Sequence, residues 1–361
     1  MLYQIGLTMI HGVGSMLTRQ LLDTFGSAEA VFSEKGQMLK KISGIGAKIA
    51  AEIKNPEVLK RAEKEFEFME KHRIHGIFFT DNDYPSRLKE CADAPLLIYF
   101  KGKADLNKRR IVSIVGTRNA TVYGCELTER FIADLATSFP DVQIISGLAY
   151  GIDVCAHKAA LRNRLSTIGV LAHGLDRIYP LQHKNTAIEM LEQGGLLTDF
   201  PSGTNPDRQN FVMRNRIVAG LSDATIVIES AEKGGSLITA NIAFSYNRDI
   251  FAFPGRINDA CSGGCNKIIR LNKAGLITSA ADFIDAMGWE EKNVPVQTEL
   301  SFAAEKDENE VVTVIRREKE IHINQLALKL NMTIPELSST LFEMEMDGVV
   351  KALPGSRYKL I

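Results

Sequence analysis

The stretch Arg110-Ile111-Val112-Ser113-Ile114-Val115-Gly116-Thr117-Arg118 sets a β-branched apolar run directly against a glycine turn and an arginine with small neighbours. Such a run reads as a strand buried on both faces, and the glycine marks where that strand leaves its sheet. Working outward, the same pattern returns at 142–145, 168–171, 195–198, 224–228, 250–253 and 276–278. Helical segments fit between these runs, at 123–138, 152–163, 182–193, 211–220, 236–247 and 265–274. Alternation of this kind predicts an α/β fold: a Rossmann-like, doubly wound, mostly parallel sheet covered on both faces, occupying 76–288 with its lead-in segment.

The flanks read differently. Residues 1–75 read as a small helical domain with two similar turns, Ile10-His11-Gly12-Val13-Gly14 and Ile42-Ser43-Gly44-Ile45-Gly46, each placed before a helix (15–25 and 47–53). This resembles a tandem helix-hairpin-helix, whose turns aim backbone N–H groups at a phosphate; equally, the glycines serve as caps inside a small bundle. Residues 289–310 carry seven acids against Lys292 and Lys306, which reads as an acidic linker. Three helices (311–317, 325–330, 334–347) and a hairpin over 349–358 then suggest a winged helix at 311–361.

Composition narrows the function classes. Apolar residues make up 45% of the 361, enough for a sizeable core, while no apolar run approaches the ~20 residues of a membrane span. Met1 opens a stretch without a basic start or small-residue cleavage site, so the expected address is cytoplasmic, without membrane association. Five scattered cysteines argue against a disulfide framework, and Cys261 with Cys265 lacks a second pair or a nearby histidine to complete a zinc site, so no metal is expected. The net charge of −1 excludes a chain coated in positive charge but leaves room for a local basic patch.

The usable edge of a doubly wound sheet lies at the carboxyl ends of its strands. Here those ends read Gly116-Thr117-Arg118, Ser146-Gly147 through Gly151, His173-Gly174, Ser202-Gly203, Gly234-Gly235-Ser236 and Gly255-Arg256. Glycines gathered on one edge imply close approach of the backbone to an anionic ligand. Arg118, Lys184, Arg214, Arg216, Lys233 and Arg256 fall in the same connections. Arg214 and Arg216 either face that ligand or pair internally with Asp199, Asp207 or Glu229. A Walker A loop is absent, and G-x-G-x-x-G does not follow the first strand, so neither a nucleotide cradle nor a dinucleotide cofactor is expected. Asp153 and His157 read as helix cap and helix interior rather than as an acid–base pair.

Taken together, Ser113-Ile114-Val115-Gly116-Thr117-Arg118, Ser146-Gly147-Leu148-Ala149-Tyr150-Gly151-Ile152-Asp153, Tyr179-Pro180, Phe211-Val212-Met213-Arg214-Asn215-Arg216 and Lys233-Gly234-Gly235-Ser236 resemble the DNA-processing protein DprA (Smf) family. The resemblance covers the whole central domain. It implies a bacterial cytoplasmic protein that binds single-stranded DNA in natural transformation, forms a homodimer and loads the recombinase RecA. Carried over to this sequence, it makes Arg118 the leading phosphate contact on the turn of Gly116 and Thr117. It adds Lys184, the segment Arg214-Asn215-Arg216, and Gly234-Gly235-Ser236. No catalytic residue and no cofactor are implied.

An enzymatic alternative is a nucleotide phosphoribohydrolase, whose pattern is G-G-x-G-T-x-x-E. In that pattern's fourth, fifth and eighth places this chain holds Leu237, Ile238 and Asn241, and Asn241 cannot supply the charge that an oxocarbenium-like transition state needs. The winged helix carries no basic residue over 334–347, so contact with protein is expected, or with duplex DNA only through Lys351, Arg357 and Lys359.

Overall fold

The computed structural model describes residues 1–289 and 310–361; residues 290–309 of the expected acidic linker lie outside the described residues. Nine strands form one sheet: β1 (His75–Phe78), β2 (Leu97–Gly102), β3 (Ile111–Val115), β4 (Gln143–Ser146), β5 (Ser166–Val170), β6 (Gly195–Thr198), β7 (Ala224–Val227), β8 (Asp249–Ala252) and β9 (Gly275–Leu276). Their spatial order is β1-β2-β6-β5-β4-β3-β7-β8-β9. From β6 to β9 all neighbours are parallel, whereas β1 and β2 extend the β6 edge antiparallel. The chain therefore winds outward from β3 in one direction, crosses back after β6, and continues from β7 in the other. The β3/β7 boundary is the switch point at which the connections splay apart.

Burial explains the apolar runs. Ile111, Val112 and Ile114 of β3 are fully buried, with Ile111 in the core on one face of the sheet and Val112 and Ile114 in the core on the other. A strand with period-2 side chains can be apolar throughout only when helices cover both faces. The seven parallel strands stand where the sequence places them. β1 and β2 were not foreseen as strands. Their pairing, His75 opposite Phe100 through Phe78 opposite Leu97, spans a connection that includes the short helix Ser86–Lys89, and no local turn signal announces it.

Asp223 fastens this lead-in to the parallel sheet. Its carboxylate accepts from Arg87 Nε at 2.6 Å and from the backbone N–H of Ile111 at 2.8 Å, at the start of β3. The amino-terminal helices are not a detached body: Ile5, Leu7, Leu21 and Ile53 share one apolar cluster with Phe78, Leu97 and Tyr99 of the edge strands. The helices at Ser15–Phe25 and Ala47–Ile53 begin directly after the two glycine turns.

The carboxy-terminal segment has its own core, built from Ile315, Leu326, Leu337, Leu341 and Val350. Helices Glu310–Glu318, Ile323–Leu330 and Ile334–Met346 precede β11 (Val350–Leu353) and β12 (Arg357–Leu360), and β12 also pairs with β10 (Ile321–His322), which completes a winged helix. Of the wing cations, Arg357 is held by Glu320 at 2.6 Å. This segment meets the sheet domain at a buried ion pair of the latter, Arg248 with Glu90 at 2.9 Å, where His322 Nδ1 stands 3.7 Å from the same carboxylate.

Two buried histidines predict an acid weakness. His157 is fully buried with Nδ1 2.7 Å from Thr167 Oγ1, and His322 accepts from the Asn324 N–H at 3.1 Å; burial first, and nearby arginines second, pull both down to about 3. Unfolding returns each to about 6.5, so between those values the unfolded chain binds more protons and stability falls as pH falls. Lowering the pH from 6.5 to 5 is expected to cost about 2 kcal/mol per histidine. Urea unfolding of wild type and His157→Gln at pH 7 and pH 5 checks this: the variant should lose less than wild type over the interval, and equal losses would remove His157 from the account.

Candidate nucleic-acid interface

At the β3/β7 switch point the turn 116–118, the turn after β4, the crossover helix Arg208–Gly220 and the start of the helix Gly235–Ser245 enclose a crevice of ≈ 640 Å³. Each part is shaped by a local requirement. A side chain at Gly116 would collide with Ile152, and one at Gly234 with Ser230 Oγ, whereas the space above Gly235 is open. The helix that starts at Gly235 therefore presents its unpaired N–H groups and positive dipole end to the cavity with nothing in the way.

The cations of the crevice fall into two layers. Arg118, Arg208 and Lys233 line it with exposed side chains, and among the described residues none of the three has an ion-pair partner. Arg118 lies over the ring of Phe211, 4.9 Å from its centroid, which orients the guanidinium without neutralising it. Phe211 in turn meets Tyr179 at 5.9 Å between centroids, and Tyr179 is 45% exposed. An aromatic edge thus borders a cationic floor.

Arg214 forms the lower layer. It is only 3% exposed, and its Nη1 donates to the carbonyls of Gly147 (2.6 Å) and Val170. Burial pulls its guanidinium down to about 10, opposed by the nearby Asp153 carboxylate. Asp153 accepts from the N–H groups of Gly147 (3.1 Å) and Ala149 (3.4 Å); burial raises its pKa, and Arg214 with these donors works against the rise. Gly147 leaves no room for a Cβ because the Arg214 guanidinium fills that space. Arg214 is therefore a buried brace under the 147–149 turn, held through Nη1, while its buried Nε makes no hydrogen bond.

Several expected contacts stand elsewhere. Gly116, Thr117, Arg118, Gly147, Arg214, Asn215, Gly234, Gly235 and Ser236 converge on the crevice. Ser146 is fully buried and donates to the Ile114 carbonyl at 2.6 Å, so it holds β4 to β3 instead of meeting a ligand. Arg216 points away, pairing with the buried Asp199 at 2.5 Å and donating to the Asp93 carbonyl; of the two open readings, the internal ion pair is the one the structure adopts for it. Glu229 serves neither arginine, since it accepts from the N–H (3.0 Å) and Oγ1 (2.5 Å) of Thr121. Lys184 and Arg256 are exposed but outside the crevice lining.

Arg208 is the residue that sequence reasoning missed. The crossover helix begins there, with Asp207 at the N-cap position but making no side-chain cap bond, and not at 211 as the apolar pattern implied. An Asp N-cap directly before it was the available signal. Asn241, at the position where a phosphoribohydrolase carries its glutamate, is exposed, accepts from Lys273 Nζ at 3.2 Å and does not line the crevice.

Comparison with known proteins places the fold among related chains. Residues 75–288 match the family described as DNA recombination-mediator protein A, residues 295–356 match the DprA winged helix domain, and residues 5–55 match a SAM-like helix-hairpin-helix tandem. The chain is 30% identical to protein Smf of Synechocystis, over 99% of this chain and 98% of that one. The crystal structure of DNA processing protein A from Streptococcus pneumoniae is similar with a TM-score of 0.65 and 32% identity, covering 79% of this chain and 97% of that one. DNA processing protein A from Helicobacter pylori, described for its single-stranded DNA binding mode, is similar with a TM-score of 0.53 and 29% identity, covering 59% of this chain and 94% of that one. Among the described residues no helix is long and apolar enough to cross a membrane.

Proposed function

This chain belongs to the DNA recombination-mediator protein A (DprA, Smf) family, and from that premise we propose that it binds single-stranded DNA in the switch-point crevice as a non-enzymatic mediator. In this reading the protein is cytoplasmic, acts as a homodimer, protects incoming DNA in natural transformation and hands it to RecA. The observation that carries the reading is the composition of the crevice. Three exposed cations and an open helix N-terminus face one cavity, and the only carboxylate lining it among the described residues, Asp153, is buried close to Arg214.

Phosphates of an extended strand would sit against Arg118, Arg208, Lys233 and the amides of Gly234 to Ser236, while bases stack on Phe211 and Tyr179. No bond need be made or broken. Neutralising three or four phosphates per protomer gives an affinity whose logarithm falls against the logarithm of salt with a slope of roughly −2 to −3.

Fluorescence anisotropy of a labelled oligothymidine titrated at several salt concentrations tests this. A slope near that value, and weaker binding of duplex of the same length, are expected. Arg216→Gln should keep both affinity and slope within about twofold, because that side chain serves Asp199 and not the ligand. A slope unchanged by neutralising Arg118, Arg208 and Lys233 together would overturn the assignment. Free base released from a nucleoside monophosphate would favour the phosphoribohydrolase reading instead.

A further inference from the structure

Cys125 and Cys155 occupy the fourth positions of the helices Val122–Ser138 and Ile152–Arg162, each still within its first turn. Their Sγ atoms lie 2.6 Å apart, and both residues are partly open to solvent. The pairing is no accident of two loose side chains. The two helices stay in contact further along, where Arg162 of one meets Glu129 of the other at 2.7 Å. Nor does the DNA-binding reading use either thiol, since neither lines the crevice.

We propose that Cys125 and Cys155 are a site of reversible oxidation, closing to an intramolecular disulfide when the protein meets a peroxide. Burial and the neighbouring sulfur raise the Cys155 thiol, which suits it to the second step, so the first attack is assigned to Cys125. Its thiolate displaces hydroxide from the peroxide and becomes a sulfenic acid. Cys155 sulfur then attacks that sulfenic sulfur, the S–S bond forms, and the second oxygen leaves as water. For hydrogen peroxide the balance is two thiols oxidised by two electrons, one peroxide reduced, and two waters released.

The location gives the bond a mechanical meaning. The helix of Cys125 follows the 116–118 turn, the helix of Cys155 follows the 147–151 turn, and the Ile152 N–H already bonds to the Thr117 carbonyl at 3.2 Å. The bridge would therefore staple together the two turns that shape one wall of the crevice. This inference does not rest on the DNA-binding reading, and its test contains no DNA.

The full chain is reduced, freed of reductant, treated with a slight excess of hydrogen peroxide, denatured, and alkylated with N-ethylmaleimide. All five cysteines should carry adducts before peroxide. Afterwards the Cys125 and Cys155 adducts should be lost, a proteolytic fragment should join the two segments, and dithiothreitol should restore the full count. Cys155→Ser should form no internal bridge and keep its fold. Five adducts after peroxide, a bridge through Cys91, Cys261 or Cys265, or a bond between two chains would each overturn the proposal.

Discussion

Replacing Arg118 by alanine is expected to weaken binding of a single-stranded oligonucleotide at least tenfold at low salt while leaving the melting temperature of the protein unchanged. The side chain is exposed, lies over Phe211 and has no ion-pair partner among the described residues, so its removal breaks nothing that holds the fold. What it removes is a charge-assisted contact to phosphate, about 1.5–3 kcal/mol. Because the same change deletes one neutralised phosphate, the salt slope should become shallower by roughly 0.7. Anisotropy titrations of wild type, Arg118→Ala and Arg118→Lys separate charge from geometry. The lysine variant should retain the slope but not the full affinity, since an ammonium lacks the planar face that stacks on Phe211. Wild-type affinity in the alanine variant would mean that the strand lies elsewhere.

The second large effect concerns stability. Arg214→Met should destabilise the protein by about 3 kcal/mol, because two buried carbonyls, of Gly147 and Val170, lose their donor and Asp153 is left as an uncompensated buried carboxylate. For a domain of this size that corresponds to a fall in Tm of roughly 6–12 °C. Adding Asp153→Asn should recover part of the loss, since the amide carries no charge to leave unpaired and its oxygen still accepts from Gly147 and Ala149. Calorimetry of the two single variants and the double variant measures this coupling. Strict additivity would show that the two groups do not act together. Gly147→Ala offers a check from the other side: its methyl group would displace the guanidinium, so it should resemble Arg214→Met in stability.

These two arginines mark how far the sequence could be read. Both stand at the sheet's carboxyl edge in glycine-rich surroundings, and on that ground both appeared able to reach a ligand. The structure separates them: Arg118 is open, while Arg214 supports the turn from below. Arg216, two residues further along the same helix, points to Asp199 on another side because successive helical positions differ in direction by about 100°. Arg208 was overlooked for a related reason. The helix starts at Arg208, ahead of its buried apolar face, and the apolar pattern used to find it begins only at Phe211.

By itself, the sequence determined the parallel sheet, the glycine turns at its carboxyl edge and the winged helix, because each rests on local patterns: buried strands are apolar throughout, and tight turns need glycine. Only the tertiary structure decided the antiparallel β1/β2 edge, the docking of the amino-terminal helices on it, and which cations are free. Those outcomes depend on what lies opposite a residue in space, as Asp199 lies opposite Arg216 and Cys155 opposite Cys125, and separation along the chain carries no record of it.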